Sequence, residues 1–268
     1  MTTLSQLESK TRDELEGIAK EQGMTGYSAL KKSELVLQIL KLQAEQQGNA
    51  LVTGILDIMD DGYGFMRQDT LVRSINDVYV ANSQIRRFNL KNGDAVYGRA
   101  RPPRETERYY SMVYVESING LDPELARERR SFASLTPIFP DKLINLETTS
   151  DELSTRLINL VTPIGKGQRG LIVSPPKAGK TMLLKKIANA IMVNHSNIHL
   201  MICLIGERPE EVTDMERSTK AEVVAATFDE PVDIQTRVAE LGVERAKRLV
   251  ETGKGGVILL DGITRLTR

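Results

Sequence analysis

An apolar run, GLIV (170–173), leads into the turn SPPKAGKT (174–181), which opens a stretch of helical character, TMLLKKIANAIM. A strand feeding a helix through a turn that ends in Gly-Lys-Thr is the setting of a phosphate loop. The helix must cross over to a neighbouring parallel strand, so the surrounding fold has to be layered α/β. The downstream sequence agrees: a strand LMICLIG, a helix PEEVTDMERS, a strand VVAATF, a long helix over about 233–252 and a strand GVILLD. In such a loop, backbone N–H groups and the helix N-terminus hold phosphate. Lys180 is expected to reach the β and γ phosphates of ATP, and Thr181 to ligate Mg2+. Ser174 stands where the general pattern has its first glycine. On the motif alone, a chance GKT at a helix start is the competing reading.

Two carboxylates extend the pattern. Asp261 closes the strand GVILLD, where it can hold a magnesium shell, although many buried strands end in Asp. Glu207 closes the strand LMICLIG, where it can orient or deprotonate an attacking water. An acidic helix start, favoured by the helix dipole, is the plainer explanation, and it suits Glu210 and Glu211 better than Glu207, which precedes Pro209.

The first half of the chain has another character. Residues 1–48 alternate short helical patterns, with a capping box at Thr11 and Glu14, apolar Leu15, Ile18 and Ala19 on one face, and a second run through Leu35, Ile39, Leu40 and Leu42. Over 49–118, five short β-type segments (LVTGILDI, GYGFMR, DVYVA, DAVYGRA and YYSMVYVESI) are separated by turns such as DDG and KNGD, which predicts a small closed barrel. Eight of the twelve Phe and Tyr residues fall between Tyr63 and Tyr114. A barrel core needs only a few of them, so some should be exposed. Tyr63 and Phe65 share one strand face, and Gly62 and Gly64 leave the other free for close backbone approach. Seven basic and three acidic residues lie between Arg86 and Arg108. Aromatic rings beside local positive charge are what single-stranded nucleic acid requires; a core with a solvated charged rim is the alternative. Residues 119–150 are charged and irregular and are expected to form a linker.

Composition narrows the classes. Lys plus Arg and Asp plus Glu both number 36, so any nucleic-acid surface must be local. Cys203 is the only cysteine, set in an apolar run, and is expected to be a buried thiol in a reducing compartment. His195 and His199 are four apart, a weak metal hint without cysteines or carboxylates beside them. With no signal-like start and no apolar run of membrane-spanning length, a soluble cytoplasmic protein without a membrane partner is expected.

The segments GYGFMR, DVYV, SQIRRFNL, RPPRETERY, GKGQRGLIVSPPKAGKTMLL, ERPEEVTDM, TFDEP, ERAKRLVE and ILLDGITRLTR resemble, in order, those of the transcription termination factor Rho family. The resemblance covers residues from about 50 to the end, and less specifically the N-terminal helices. It implies a small helical domain, a cold-shock or OB-type five-stranded β-barrel and a RecA-like P-loop α/β ATPase domain over 151–268, incomplete at its C-terminal end. The implied activity is an RNA-dependent ATPase and helicase that binds pyrimidine-rich nascent RNA, translocates on it with ATP and Mg2+, and releases transcripts. The implied partners are five further copies in a ring-shaped homo-hexamer, RNA polymerase and elongation factors. By residue, the resemblance implies RNA contacts at Gly62, Tyr63, Gly64, Phe65, Met66 and Arg67, at Asp77, Val78 and Tyr79, and at Glu107, Arg108 and Tyr109. A carboxylate there can accept the exocyclic amine of cytosine. It implies nucleotide contacts at Gly165, Lys166, Gly167, Gln168, Arg169 and Gly170, then at Lys177, Ala178, Gly179, Lys180, Thr181 and Met182, and at Arg208. Glu207 matches the catalytic glutamate and Asp261 the magnesium ligand.

Tyr63 stands where the family often has phenylalanine, and Ser174 where it commonly has alanine. Gly206, Gly262 and VDIQTR (232–237) depart from its pattern. The family continues beyond the position matching Arg268, with the arginine finger and a strand that lies between the phosphate-loop strand and the Asp261 strand. The chain taken alone is therefore expected to lack RNA-stimulated turnover. An RNA-binding module with a non-functional ATPase remnant is the alternative, and a P-loop ATPase whose barrel is only an adaptor is a third reading.

Overall fold

The computed structural model describes residues 4–68, 71–175 and 178–266, in two compact units that meet in sequence at Arg129 and Arg130.

The first unit begins with helices α1 (Leu4–Glu8), α2 (Arg12–Glu21) and α3 (Lys32–Gln46). The capping box forms: Glu14 N donates to Thr11 Oγ1, and Thr11 N to Glu14 Oε2. Leu7, Leu15, Ala19, Leu35, Val36, Ile39 and Leu40 make one core, against which Leu51 and Tyr97 of the following strands pack. Those strands are β1 (Ala50–Ile58), β2 (Gly64–Arg67), β3 (Val78–Val80), β4 (Ala95–Arg101) and β5 (Tyr110–Ile118), with α4 (Asn82–Arg87) between β3 and β4. They close a barrel in the order β1-β2-β3-β5-β4. Every pairing is antiparallel except β3 with β5, which is parallel. Leu56, Met66, Val78, Val80, Val96, Ala100, Met112 and Ile118 point inward. Strand alternation then sends Phe65, Tyr79 and Arg99 outward.

The barrel's outer charges are buried and paired. Arg99 meets Glu116 at 2.6 Å, and Glu116 also accepts the Leu4 amide at 3.0 Å, which ties α1 to β5. The stretch expected as a linker is partly structured. It holds α5 (Pro123–Arg127), whose Ala126 enters the barrel core, and Arg129 reaches Asp94 at 2.6 Å.

The second unit holds α6 (Leu153–Val161), α7 (Lys180–Asn194), β6 (His199–Glu207), α8 (Pro209–Ser218), β7 (Glu222–Thr227), α9 (Val232–Glu251), β8 (Gly256–Asp261) and α10 (Ile263–Leu266). Its sheet is parallel, in the order β7-β6-β8. Leu200, Ile202 and Leu204 of β6 pack with Ile187 and Ile191 of α7 and with Ile144 and Leu146 from the expected linker. Met201, Cys203 and Ile205 alternate to the other side, where Gly242 of α9 lets Cys203 approach: a Cβ there would stand 3.2 Å from its sulfur. Burial pushes the Cys203 thiol up to about 12, so it is inert, as expected of a core cysteine.

One expected element does not form. Residues 170–173 join no ladder, and Leu171 and Val173 are 75% and 83% exposed. An apolar run becomes a strand only where another strand stands beside it. Among the described residues β8 pairs with β6 alone, so nothing bridges β8 to this segment.

Candidate functional site

Four rings gather on the outer face of β2 and β3. Register places Phe65 opposite Tyr79, and Tyr63 precedes them on the turn. Ring centroids are 5.8 Å apart for Tyr63–Phe65, 5.7 Å for Tyr63–Tyr79 and 6.1 Å for Phe65–Tyr79. Tyr109, at the entry to β5, adds an edge contact 5.0 Å from Phe65. All four are half-buried, so each keeps ring surface toward solvent. The glycines make this possible. Gly62 turns the chain at φ +83°, and a Cβ on Gly64 would stand 2.9 Å from Leu56 Cδ1 and 3.1 Å from the Asp57 carbonyl. β2 therefore lies tight on β1 and presents its rings outward.

The charged residues of this region are less open than their sequence suggests. Arg67 is buried, 6% exposed, and donates to Asp57 Oδ2 at 3.2 and 2.6 Å and to Asp77. Asp77 Oδ2 also accepts the Ser74 amide, while its Oδ1 has no hydrogen-bond partner among the described residues. Arg67 is thus first a clamp across β1, β2 and the start of β3, and it stacks 5.5 Å from the Phe65 ring. Met66 and Val78 are core residues. Glu107 is held by both guanidinium nitrogens of Arg101, at 2.6 and 2.7 Å, and by the Arg104 amide. These hydrogen bonds lower its carboxyl to about 2. Arg108 is exposed. Two residues that the sequence reading did not single out belong here: Asp57, which register alone could have brought to Arg67, and Arg73, whose Nη2 lies 3.5 Å from the Tyr109 hydroxyl.

In the second unit, Gly179 takes φ +86° and caps α7 without a side-chain hydrogen bond, leaving first-turn amides for an anion. Lys180 forms an ion pair with Asp261 at the end of β8, and Thr181 Oγ1 donates to Asp261 Oδ2 at 3.4 Å. Asp261 is 2% exposed, and these two residues offset the cost of burying its charge. Ala178, Gly179 and Met182 are exposed around them; Lys177 lies outside the described residues.

Glu207 ends β6 just past a register shift at Gly206, where φ is +68°. Gly262 follows Asp261 at φ +90°, and a Cβ there would stand 2.1 Å from the Ile205 carbonyl. Gly206 and Gly262 thus lie at neighbouring strand ends, one beside each carboxylate. Arg208 is exposed beyond them and, with Pro209, Glu210, Phe228 and Asp229, lines an open concavity of about 620 Å³. The loop 165–170 is built separately. Gly165 is buried and its amide donates to Gln168 Oε1 at 2.8 Å; the Lys166 amide donates to the Lys142 carbonyl; Gly167 takes φ +91°; Lys166, Arg169 and Gly170 are exposed. Among the described residues no hydrogen bond joins this loop to 178–182. Thus Lys180, Thr181 and Asp261 come together, Glu207 ends the adjacent strand, and 165–170 stays apart from them in its hydrogen bonding.

Three family profiles match the chain: the N-terminal domain of Rho termination factor over 6–48, its RNA-binding domain over 52–124, and the nucleotide-binding domain of the ATP synthase alpha/beta family over 154–268. Transcription termination factor Rho of Aquifex aeolicus is 53% identical over 269 residues, covering 98% of this chain and 62% of that protein. Its counterpart in Bacillus subtilis is 51% identical over 267 residues, covering 99% and 62%. Among solved structures, a prototypical ATPase of a type III secretion system overlays at TM-score 0.38 and 29% identity, over 42% of this chain and 34% of the other. The chain spans about 62% of the length of the curated relatives named here.

Proposed function

The chain belongs to the transcription termination factor Rho family, and from that premise we propose that its barrel binds single-stranded, pyrimidine-rich RNA while its second unit binds ATP. In the whole protein, ATP hydrolysis drives a homo-hexameric helicase along nascent RNA in the cytoplasm and releases the transcript from RNA polymerase and its elongation factors.

The observation that carries the RNA reading is the four-ring cluster on the outer face of a closed barrel. Bases stack on Tyr63, Phe65, Tyr79 and Tyr109 with a gain of about 1–3 kcal/mol each. Asp77 is 1% exposed and its unpartnered Oδ1 is itself buried, so it meets the cytosine amine only once a base displaces the cover over it. Glu107 and Arg108 border the platform.

The nucleotide reading rests on Lys180, Thr181 and Asp261 at one helix start. A hydroxyl and a buried carboxylate are the hard oxygen donors that Mg2+ takes beside phosphate, so the residues fit that ion. Thr181 and Asp261 would hold it, and it would neutralise charge on the phosphates. Lys180, the α7 amides and Ala178 to Met182 bind the phosphates; Arg208 and the loop 165–170 complete the nucleotide contacts; Glu207 positions the attacking water.

Titration of the chain with labelled oligo-C RNA tests the first half. Phe65→Ala should lose on the order of 1–3 kcal/mol of binding; wild-type affinity in both Phe65→Ala and Tyr63→Ala removes the stacking role. For the second half, Glu207→Gln in the whole protein should abolish RNA-stimulated ATP turnover and spare nucleotide binding. The open edge of β8 and the unladdered 170–173 favour a second reading, an RNA-binding module whose ATPase part does not turn over. Tight oligo-C binding without hydrolysis selects it.

A further inference from the structure

We propose that Arg73 is a phosphate-contacting residue of the RNA platform, a role that rests on the RNA-binding reading above. Stacking holds bases, but a strand's backbone also needs cations, and phosphate neutralisation supplies much of the affinity. Two arginines of this region are already committed. Arg67 is buried between Asp57 and Asp77, and Arg101 is gripped by both oxygens of Glu107.

Arg73 differs from both. It lies in the segment joining β2 to β3, exposed to solvent, and among the described residues no carboxylate forms an ion pair with it. Its Nη2 approaches the Tyr109 hydroxyl at 3.5 Å, a long contact that holds the guanidinium at the rim of the rings. Tyr63 and Asp77 also lie within reach of its field. A guanidinium has five N–H donors in a planar fork suited to phosphate, and Tyr109 engages one nitrogen only. A base stacked on Phe65 and Tyr109 would carry its phosphate past this rim. The family resemblance assigns no role to Arg73, and its position follows from the fold of this loop.

The competing explanation is that Arg73 merely braces Tyr109. Salt dependence separates the two, because a brace releases no counterions. Affinity of the chain for labelled oligo-C and oligo-U RNA is measured by fluorescence anisotropy between about 50 and 200 mM salt. Arg73→Gln should weaken both RNAs by a similar factor and flatten the plot of log affinity against log salt by about 0.7, the value for one phosphate contact on a single strand. Arg73→Lys should retain the wild-type slope. An unchanged slope in Arg73→Gln overturns the proposal, whatever happens to affinity at one salt concentration. Failure of the platform itself looks different: Phe65→Ala would then bind as wild type.

Discussion

The barrel and the three-stranded sheet both bury charge, but they neutralise it in different ways. In the barrel, Arg67 sits between Asp57 and Asp77, Arg99 against Glu116, and Arg129 against Asp94, with both partners of each pair buried. In the sheet, Asp261 is buried while its partner Lys180 is 37% exposed at a helix start. The first kind of counter-ion is permanent. The second can be exchanged, because a phosphate can draw the lysine without opening a core. A binding face that must keep its shape uses the former; a site that must load and release an anion uses the latter.

The largest test of this contrast is Arg67→Met. It strands two carboxylates inside the barrel and should destabilise it by about 3–5 kcal/mol. Urea unfolding followed by tyrosine fluorescence reads the barrel unit alone, since the chain has no Trp and all seven Tyr precede Arg129. An unchanged midpoint would mean that the clamp is dispensable. Next comes Gly262→Ala, which places a Cβ against the Ile205 carbonyl in a left-handed conformation. It should cost about 1–3 kcal/mol, read by hydrogen exchange at the ends of β6 and β8 and absent from the tyrosine signal. Lys180→Met leaves one buried carboxylate with Thr181 as its remaining partner, and should cost the sheet less than Arg67→Met costs the barrel while weakening ATP binding. A loss as large as that of Arg67→Met would erase the distinction between permanent and exchangeable counter-ions.

The smallest effect is a pH dependence at the rim of the rings. The Glu107 carboxyl, normally near 4.5, is lowered to about 2 by Arg101 and the Arg104 amide. Because the folded value is depressed, its contribution is complete above about 4.5 and fades as pH falls toward 2. Carboxyl chemical shifts should show Glu107 titrating near 2, and Arg101→Gln should bring it back toward the ordinary range.

The difference between the units also explains what the sequence made legible. All five barrel strands were readable because alternation and turn residues are local signals. The helix start at Lys180 and the strand ends at Glu207 and Asp261 were readable for the same reason. Partners across a ladder were not. Arg67 looks like a surface cation until register brings β1 beside β2, and residues 170–173 look like a strand until the sheet offers them no neighbour. Ile144 and Leu146 sit in a stretch with linker composition and become core only through packing against α7. Gly206 and Gly262 were visible, but their left-handed backbone, at φ +68° and +90°, needed coordinates.

The hydrogen bond from the Leu4 amide to Glu116 spans 112 positions of sequence. A ribosome releases the donor first and the acceptor much later. At roughly 5–20 residues per second, the delay is on the order of 6–20 s. Throughout that interval α1 has no carboxylate at its start, and although Leu51 follows α3 closely, Tyr97 joins the apolar faces of α2 and α3 only shortly before Glu116 is made. Helices this short are marginal alone. These helices, made well before Glu116, are therefore among the last elements to settle, and they wait in the growing polypeptide for the strand that will hold them.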